Sequence, residues 1–206
     1  MENVNVSQAT LKRLPQYLRT IKEYKEMEYI SSTFIAQKLN LNPIQVRKDL
    51  ALVSKTDGKP GNGFEVNKII EELEEFLGLN KINDAIIVGA GKLGQALLNY
   101  QGFKNNLNVL MAFDVDKKKF VNKKIFNLDK MENLVKKMNI KIGIITVPKE
   151  NAQYVCDLMI QAGIKAIWNF APIHLNVPED ISIKNEDLSA SMLILMKDYN
   201  NKNKIN

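Results

Sequence analysis

Residues 84–100 read DAIIVGAGKLGQALLNY. An apolar run, a glycine-rich turn and an amphipathic segment predict strand, turn and helix, with the strand beginning at Ala85 and the helix covering LGQALLNYQ. Gly89, Gly91 and Gly94 stand at G-x-G-x-x-G spacing. Gly89 permits the tight turn, Gly91 lets a pyrophosphate approach the backbone, and Gly94 lets helix and strand pack closely. The chain then alternates. NVLMAFDVD, IKIGIITVP and KAIWNFAP read as strands, with a short strand near KIFNL. DKMENLVKKM and ENAQYVCDLMIQAG read as helices, ISIKNED follows, and LSASMLILM is a last helix before a polar tail expected to fray. Near-continuous apolar strands between amphipathic helices predict an α/β fold whose parallel sheet is covered on both faces.

Such a turn predicts a dinucleotide, its phosphates at the helix N-terminus where free N–H groups and the helix dipole favour an anion. The expected cradle is Gly89, Ala90, Gly91, Lys92, Leu93 and Gly94. The second apolar strand ends in FDVD, which puts Asp114 where a carboxylate accepts from ribose hydroxyls and repels a 2′-phosphate. NAD(H) is therefore expected over NADP(H), although Lys117, Lys118 and Lys119 soften that rejection. Thr146, Val147 and Pro148, then Asn169, Phe170, Ala171 and Pro172, follow the next strands and are expected at the nicotinamide end. A Rossmann-like fold without a nucleotide is the alternative. No catalyst accompanies the site. His174 has no acid or arginine patterned with it, Cys156 sits mid-helix among apolar residues, and no Cys/His cluster suits a metal.

The 206 residues admit one domain or two small ones, and 45% apolar with 25% charged residues is ordinary for globular protein. No apolar run reaches the roughly 18 residues of a membrane span, and the start lacks a secretory pattern. A single cysteine excludes an intrachain disulfide and fits a cytoplasmic location. The net charge of +6 is spread as +4 over residues 1–63, −4 over 64–80 and +6 over 81–206, so the total carries no argument for DNA. Local pattern has to carry it.

The expected domain boundary places residues 1–80 before the sheet and 81–206 in it. Residues 1–80 read mostly helical. Ser7 suits an N-cap, and Leu14, Tyr17, Leu18, Ile21 and Tyr24 keep a helical period, with Pro15 in a first turn or at a break between two short helices. SSTFIAQKLNLNPIQVRKDLALV reads as two helices around a tight turn, capped by Ser31 or Ser32 and by Asn42 with Pro43 behind it, and with Asn40 left-handed. In the second helix Val46, Leu50 and Val53 face inward while Arg47 and Lys48 face out and Gln45 lies on the flank. Glutamine reads adenine, arginine reads guanine and lysine neutralises phosphate, so this is a helix-turn-helix pattern. SKTDGKPGNGFEV suggests a β-hairpin wing, and EVNKIIEELEEFLGL a closing acidic helix with Ile69, Leu73, Phe76 and Leu77 on one face.

QVRKDLALVSKTDGKPGNGFEV, then LGLNKINDAIIVGAGKLGQALLNYQGF, AFDVD, TVPKENAQ and AGIKAIWNFAP, resemble in collinear order the Rex family of redox-sensing repressors. The resemblance implies a winged helix domain followed by a Rossmann-type domain. It implies a homodimer whose C-terminal helix, about residues 188–197, is domain-swapped. It further implies a repressor that binds palindromic double-stranded operator DNA and senses NADH against NAD+, NADH releasing the DNA. Gln45, Arg47 and Lys48 match the recognition helix, and Ser32, Lys59 and Gly61 fall with the DNA contacts. Tyr100 matches a ligand-state switch residue beside the cofactor. Asp187 is its rival partner, and Arg19 matches the arginine that pairs with that aspartate across the dimer. Pro60, Phe64 and Leu188 depart from the family pattern, in the wing and at the nicotinamide. The rivals are an NAD-dependent oxidoreductase with a helical appendage and a coenzyme A or other nucleotide-binding module.

Overall fold

The computed structural model describes residues 6–55, 58, 61–103 and 106–203. Two compact units, Met1–Lys81 and Ile82–Asn206, divide the chain.

In the first unit, α1 (Gln8–Glu23) starts at Ser7, whose side chain accepts from the Thr10 N–H. Pro15 interrupts nothing: a single helix runs through it. The expected first-turn or break position is thus corrected. Leu14, Tyr17, Leu18 and Ile21 are buried, and that burial outweighs the hydrogen bond a mid-helix proline cannot donate. A short strand β1 (Tyr29–Ile30) leads to α2 (Ser32–Leu39), which Ser31 rather than Ser32 caps. Asn40 is left-handed at φ 52°, and α3 (Pro43–Val53) begins behind the Asn42 cap with proline in the first turn. Val46, Leu50 and Val53 are buried and Arg47 and Lys48 are exposed. Strand β2 (Phe64–Glu65) pairs antiparallel with β1, and the expected wing hairpin spans Thr56, Asp57, Lys59 and Pro60, which lie outside the described residues. Helix α4 (Val66–Phe76) closes the unit, with Ile69 and Leu73 buried and Phe76 and Leu77 packed at the edge of the same core.

The second unit is a parallel six-stranded sheet. Its strands are β3 (Asn83–Val88), β4 (Leu107–Asp114), β5 (Ile125–Asn127), β6 (Ile142–Ile145), β7 (Ala166–Asn169) and β8 (Ser182–Asn185). They lie in the order β5-β4-β3-β6-β7-β8. The first strand begins two residues earlier than expected, and ISIKNED supplies the edge strand. Alternate residues of β3 enter separate cores: Ile86 and Val88 pack with Val135, Val155 and Met159, while Ile87 packs with Leu98 and Ala112. Helices α5 (Lys92–Leu98), α6 (Met131–Met138) and α7 (Lys149–Ala162) therefore cover both faces. Strand order reverses between β3 and β6, which opens a crevice at their carboxyl ends. The last helix, α8 (Leu188–Asn203), runs well beyond the expected 188–197 into the tail expected to fray, and buries none of its residues. No described helix is long and apolar enough to cross a membrane.

Candidate functional site

A cavity of about 590 Å³ opens at the crevice, lined by the ends of β3, β4 and β6 and by the first turns of α7. Local sterics dictate the glycines around it. Gly89 has φ +102°, and a Cβ there would meet the Thr146 carbonyl at 2.7 Å. The Thr146 hydroxyl donates to the Gly89 carbonyl at 2.7 Å, tying the turn to the end of β6. A Cβ on Gly94 would lie 1.9 Å from the Gly89 oxygen, so only glycine lets α5 sit so close. Gly91 differs: a Cβ there would meet no protein atom within 4 Å, and the residue lines the cavity. Its missing side chain serves no packing contact. It leaves space for a ligand against the backbone, and as the N-cap of α5 it offers no side chain to compete for the first N–H groups. The residues present therefore fit a pyrophosphate.

Asp114 ends β4 inside this cavity, 8% exposed. Its Oδ2 accepts from the Ala90 N–H at 2.7 Å and from the Lys119 ammonium at 2.8 Å, and its Oδ1 accepts from the Asp116 N–H at 2.9 Å. Burial pushes this carboxyl up, but the bonds from Lys119, Asp116 and Ala90 outweigh it and hold the group below the ordinary carboxylate range. An ionised acceptor thus lines the cavity, partly neutralised by a lysine.

Of the residues expected to bind the dinucleotide, Gly89, Gly91, Asp114, Thr146, Val147 and Pro148 line the cavity. Ala90 contributes through its N–H to Asp114. Lys92, Leu93 and Gly94 belong to the adjoining helix and are not part of the lining. The expected nicotinamide residues Asn169, Phe170, Ala171 and Pro172 are also outside it. Asn169 is fully buried. Its amide donates to the Ala171 and Ile173 carbonyls and its oxygen accepts from the Ala171 N–H, so it braces the loop from within. Phe170 packs on Trp168, Trp168 on Phe103 and Phe103 on Tyr100, with ring centroids 4.7, 5.8 and 4.8 Å apart. Tyr100 is exposed, and Asp187 spends its Oδ1 capping α8 through the Ser189 and Ala190 N–H groups. The two share no hydrogen bond. Arg19 is exposed on α1.

Sequence reasoning missed Leu128, Asn151 and Tyr154, which line the cavity, and treated Lys119 only as a perturbation. Asn151 and Tyr154 lie three residues apart behind Pro148, a spacing that puts them on one helix face toward the strand ends. His174 and Cys156 are not among the residues lining the cavity. His174 is exposed on a loop. Cys156 is buried, and burial pushes its thiol up to about 11.

In the first unit the outward side of α3 carries Arg47 and Lys48, both exposed. Ser32, half-buried, opens α2, and Gly61 is exposed at φ 85°. Gln45 is exposed, yet its amide donates to Asp49 at 2.8 Å. Asp49 is 1% exposed between α1 and α3 and was not singled out from the sequence. Its Oδ1 accepts from Thr10, Arg13 and Gln45, and its Oδ2 from Arg13 Nε at 2.7 Å and the Tyr17 hydroxyl at 2.8 Å. Burial raises this carboxyl, but the bonds from Arg13, Tyr17 and Gln45 hold it below the usual range. The Tyr17 hydroxyl, by burial and by Asp49, is pushed up to about 12.

Two family models match: "Putative DNA-binding protein N-terminus" over residues 5–51 and "CoA binding domain" over residues 80–173. Among curated proteins the chain is 45% identical, over 90% of its length and 91% of the relative's, to the redox-sensing transcriptional repressor Rex of Treponema denticola. It is 38% identical, over 95% of its length and 91% of the relative's, to that of Bacteroides thetaiotaomicron. Among solved structures it is similar to RSP, a Rex-family repressor, at 36% identity. The RSP complex with NAD+ and operator DNA gives a TM-score of 0.88 over 97% of this chain and 95% of that one. The RSP complex with NADH gives 0.86 over 98% and 97%.

Proposed function

The chain belongs to the Rex family of redox-sensing transcriptional repressors, and from that premise we propose that it is a DNA-binding repressor that senses the NADH to NAD+ ratio, NADH releasing operator DNA. The observation that carries the ligand half is the cavity where the side-chain-free backbone of Gly91 and the ionised Asp114 meet at the strand-order reversal. Gly91 and its neighbours in the turn would hold the pyrophosphate and Asp114 the adenosine ribose. Tyr154 and Asn151 would flank the nucleotide, and the Asn169–Pro172 loop would meet the nicotinamide. Arg47, Lys48 and Gln45 on α3, with Ser32, Gly61 and Lys59, would make the DNA contacts in a bacterial cytoplasm. The cofactor is bound and read, not turned over: the relatives are repressors, and neither His174 nor Cys156 lies in the cavity.

The protein would act as a homodimer on a palindromic operator. Leu188, Met192, Leu193, Ile194, Leu195 and Met196 on α8 are each more than half exposed, a patch that a second copy would cover. Its swapped insertion into the partner, and an Arg19 pairing with Asp187 of the partner subunit in the DNA-bound state, are expected of the switch. Tyr100 would take over that aspartate in the NADH state. The two ligands must favour the two states unequally, because equal affinity shifts nothing.

A gel shift on palindromic DNA selected by the chain itself tests the reading. NADH should release the DNA, NAD+ should retain it, and NADPH should act weakly. Absence of DNA binding in every ligand state overturns the proposal. Coenzyme A displacing NADH from the cavity would favour the rival module instead. Replacing Arg19 with Ala should weaken operator binding and leave NADH binding intact.

A further inference from the structure

The Gln45 amide is not free to choose its orientation. Gln45 and Asp49 lie four residues apart on α3, one turn along the same face. The carboxylate that receives the amide is itself immobile. Arg13 grips it with a two-pronged contact, Nε to Oδ2 at 2.7 Å and Nη2 to Oδ1 at 3.0 Å. Tyr17 and Thr10 hold it from the same helix α1, at positions that share a face with Arg13. Only the Gln45 end of the network reaches the exposed side of α3.

We propose that Asp49 is a positioning residue for base readout: it locks the Gln45 amide so that α3 presents one fixed order of acceptor and donor to the major groove. This rests on the DNA-binding reading above. One N–H of the amide is engaged by Asp49, which leaves Oε1 and the second N–H for a base edge. An amide flip would set Oε1 against a carboxylate oxygen, two acceptors with no proton between them, so the flipped state is suppressed. Adenine offers an acceptor at N7 beside a donor at N6, and an amide held in one sense matches that pair in one direction only. A free glutamine would match it in either sense. Holding the side chain before the DNA arrives also removes rotamer freedom that would otherwise be lost on binding. Asp49 touches no base. It acts through Gln45, and the network ties that action to α1.

The test uses the full-length protein without NADH and a palindromic DNA recovered from a random library by the wild-type chain. Each of the four base pairs is then placed at the position where Gln45→Ala loses preference. The wild type should prefer one base pair by about tenfold or more, the discrimination expected of a two-point contact. Asp49→Asn should cut that preference to within about threefold, while preferences at other positions survive. In a Gln45→Ala background Asp49→Asn should have no further effect on base choice. Tyr17→Phe, which loosens the network away from Gln45, should leave the preference intact. Should Asp49→Asn fail to fold, Arg13→Lys replaces it, because a lysine cannot reproduce the two-pronged grip, and it should relax the same base pair. A uniform loss of affinity with base preference unchanged, or additive effects of the two substitutions on preference, overturns the proposal. A wild-type chain that recovers no DNA would instead overturn the DNA-binding reading itself.

Discussion

Two buried aspartates, one in each unit, invite comparison. Asp49 and Asp114 are both ionised against the pull of burial, and both pair with a cation. Their partners differ in kind. Asp49 is saturated by five hydrogen bonds from four side chains, led by an arginine fork. Asp114 is held by two backbone N–H groups and by one lysine that is 30% exposed. A guanidinium fork is a rigid two-point clamp, whereas an ammonium on a four-carbon stem is a movable point charge. A carboxylate whose donors are all fixed belongs to the scaffold. One whose last donor can swing into solvent can exchange it for a ligand hydroxyl.

The sharpest way to break this contrast is to truncate each acid. Asp49→Ala leaves the buried Tyr17 hydroxyl and the half-buried Arg13 guanidinium without their acceptor and should cost about 3 kcal/mol. It should also abolish operator binding. Asp114→Ala frees Lys119 to solvent and orphans only backbone N–H groups, so about 1–2 kcal/mol is expected, with NADH affinity lost. Urea unfolding gives both numbers, and Trp168, the sole tryptophan, reports the second unit separately. Equal costs at the two sites would end the distinction.

The glycine turn offers the same contrast at smaller scale. Gly94→Ala drives a Cβ into the Gly89 carbonyl and should destabilise the second unit by about 1–3 kcal/mol. Gly91→Ala meets no protein atom, so stability should hold while NADH affinity falls about tenfold. Calorimetric titration with NADH beside a thermal melt separates the two. A Gly91→Ala variant that binds NADH normally would remove the ligand argument for that glycine.

Lys119 sharpens the reading of Asp114. With the ammonium in place, the acid's repulsion of a 2′-phosphate is blunted. Lys119→Ala should therefore widen the preference for NADH over NADPH by about fivefold, roughly 1 kcal/mol. Titrating both nucleotides against both proteins measures it; an unchanged ratio would mean that Lys119 leaves Asp114 whenever ligand binds.

Local chemistry was the legible part of this chain. The caps at Ser7 and Asn42, the left-handed Asn40 and the strand–turn–helix at Gly89–Gly94 follow from the residues standing there. Asp114 was legible because its place is set by the end of an apolar strand. Asp49 was not, although it sits among inward-facing Val46, Leu50 and Val53. Its meaning depends on Thr10, Arg13 and Tyr17 of another helix, and that pairing is tertiary. Pro15 misled for a related reason, since the buried face of α1 overrides a local helix breaker. The extension of α8 through the polar residues up to Asn203 has no source in its own packing, because no residue of that helix is buried.

The smallest effect expected is on pH and salt, and it returns to the two acids. Both carboxyls titrate below their ordinary value of about 4 in the folded chain. The sign follows: stability from each is fully present above that value and is lost as the pH falls through the lower, folded-state value. Urea midpoints should therefore be insensitive to these groups near neutrality. Below pH of about 4 the wild type should lose stability faster than Asp49→Asn, since that variant has no proton to take up there. Salt divides the pair where pH does not. Arg13 is 22% exposed over an acid at 1%, and Lys119 is 30% exposed over an acid at 8%, so added salt screens the second pair more. High salt should narrow the gap between wild type and Lys119→Ala and leave the cost of Asp49→Asn in place. A cost at Asp49 that salt erases would make its arginine a surface partner after all, and the scaffold reading of that acid would fall with it.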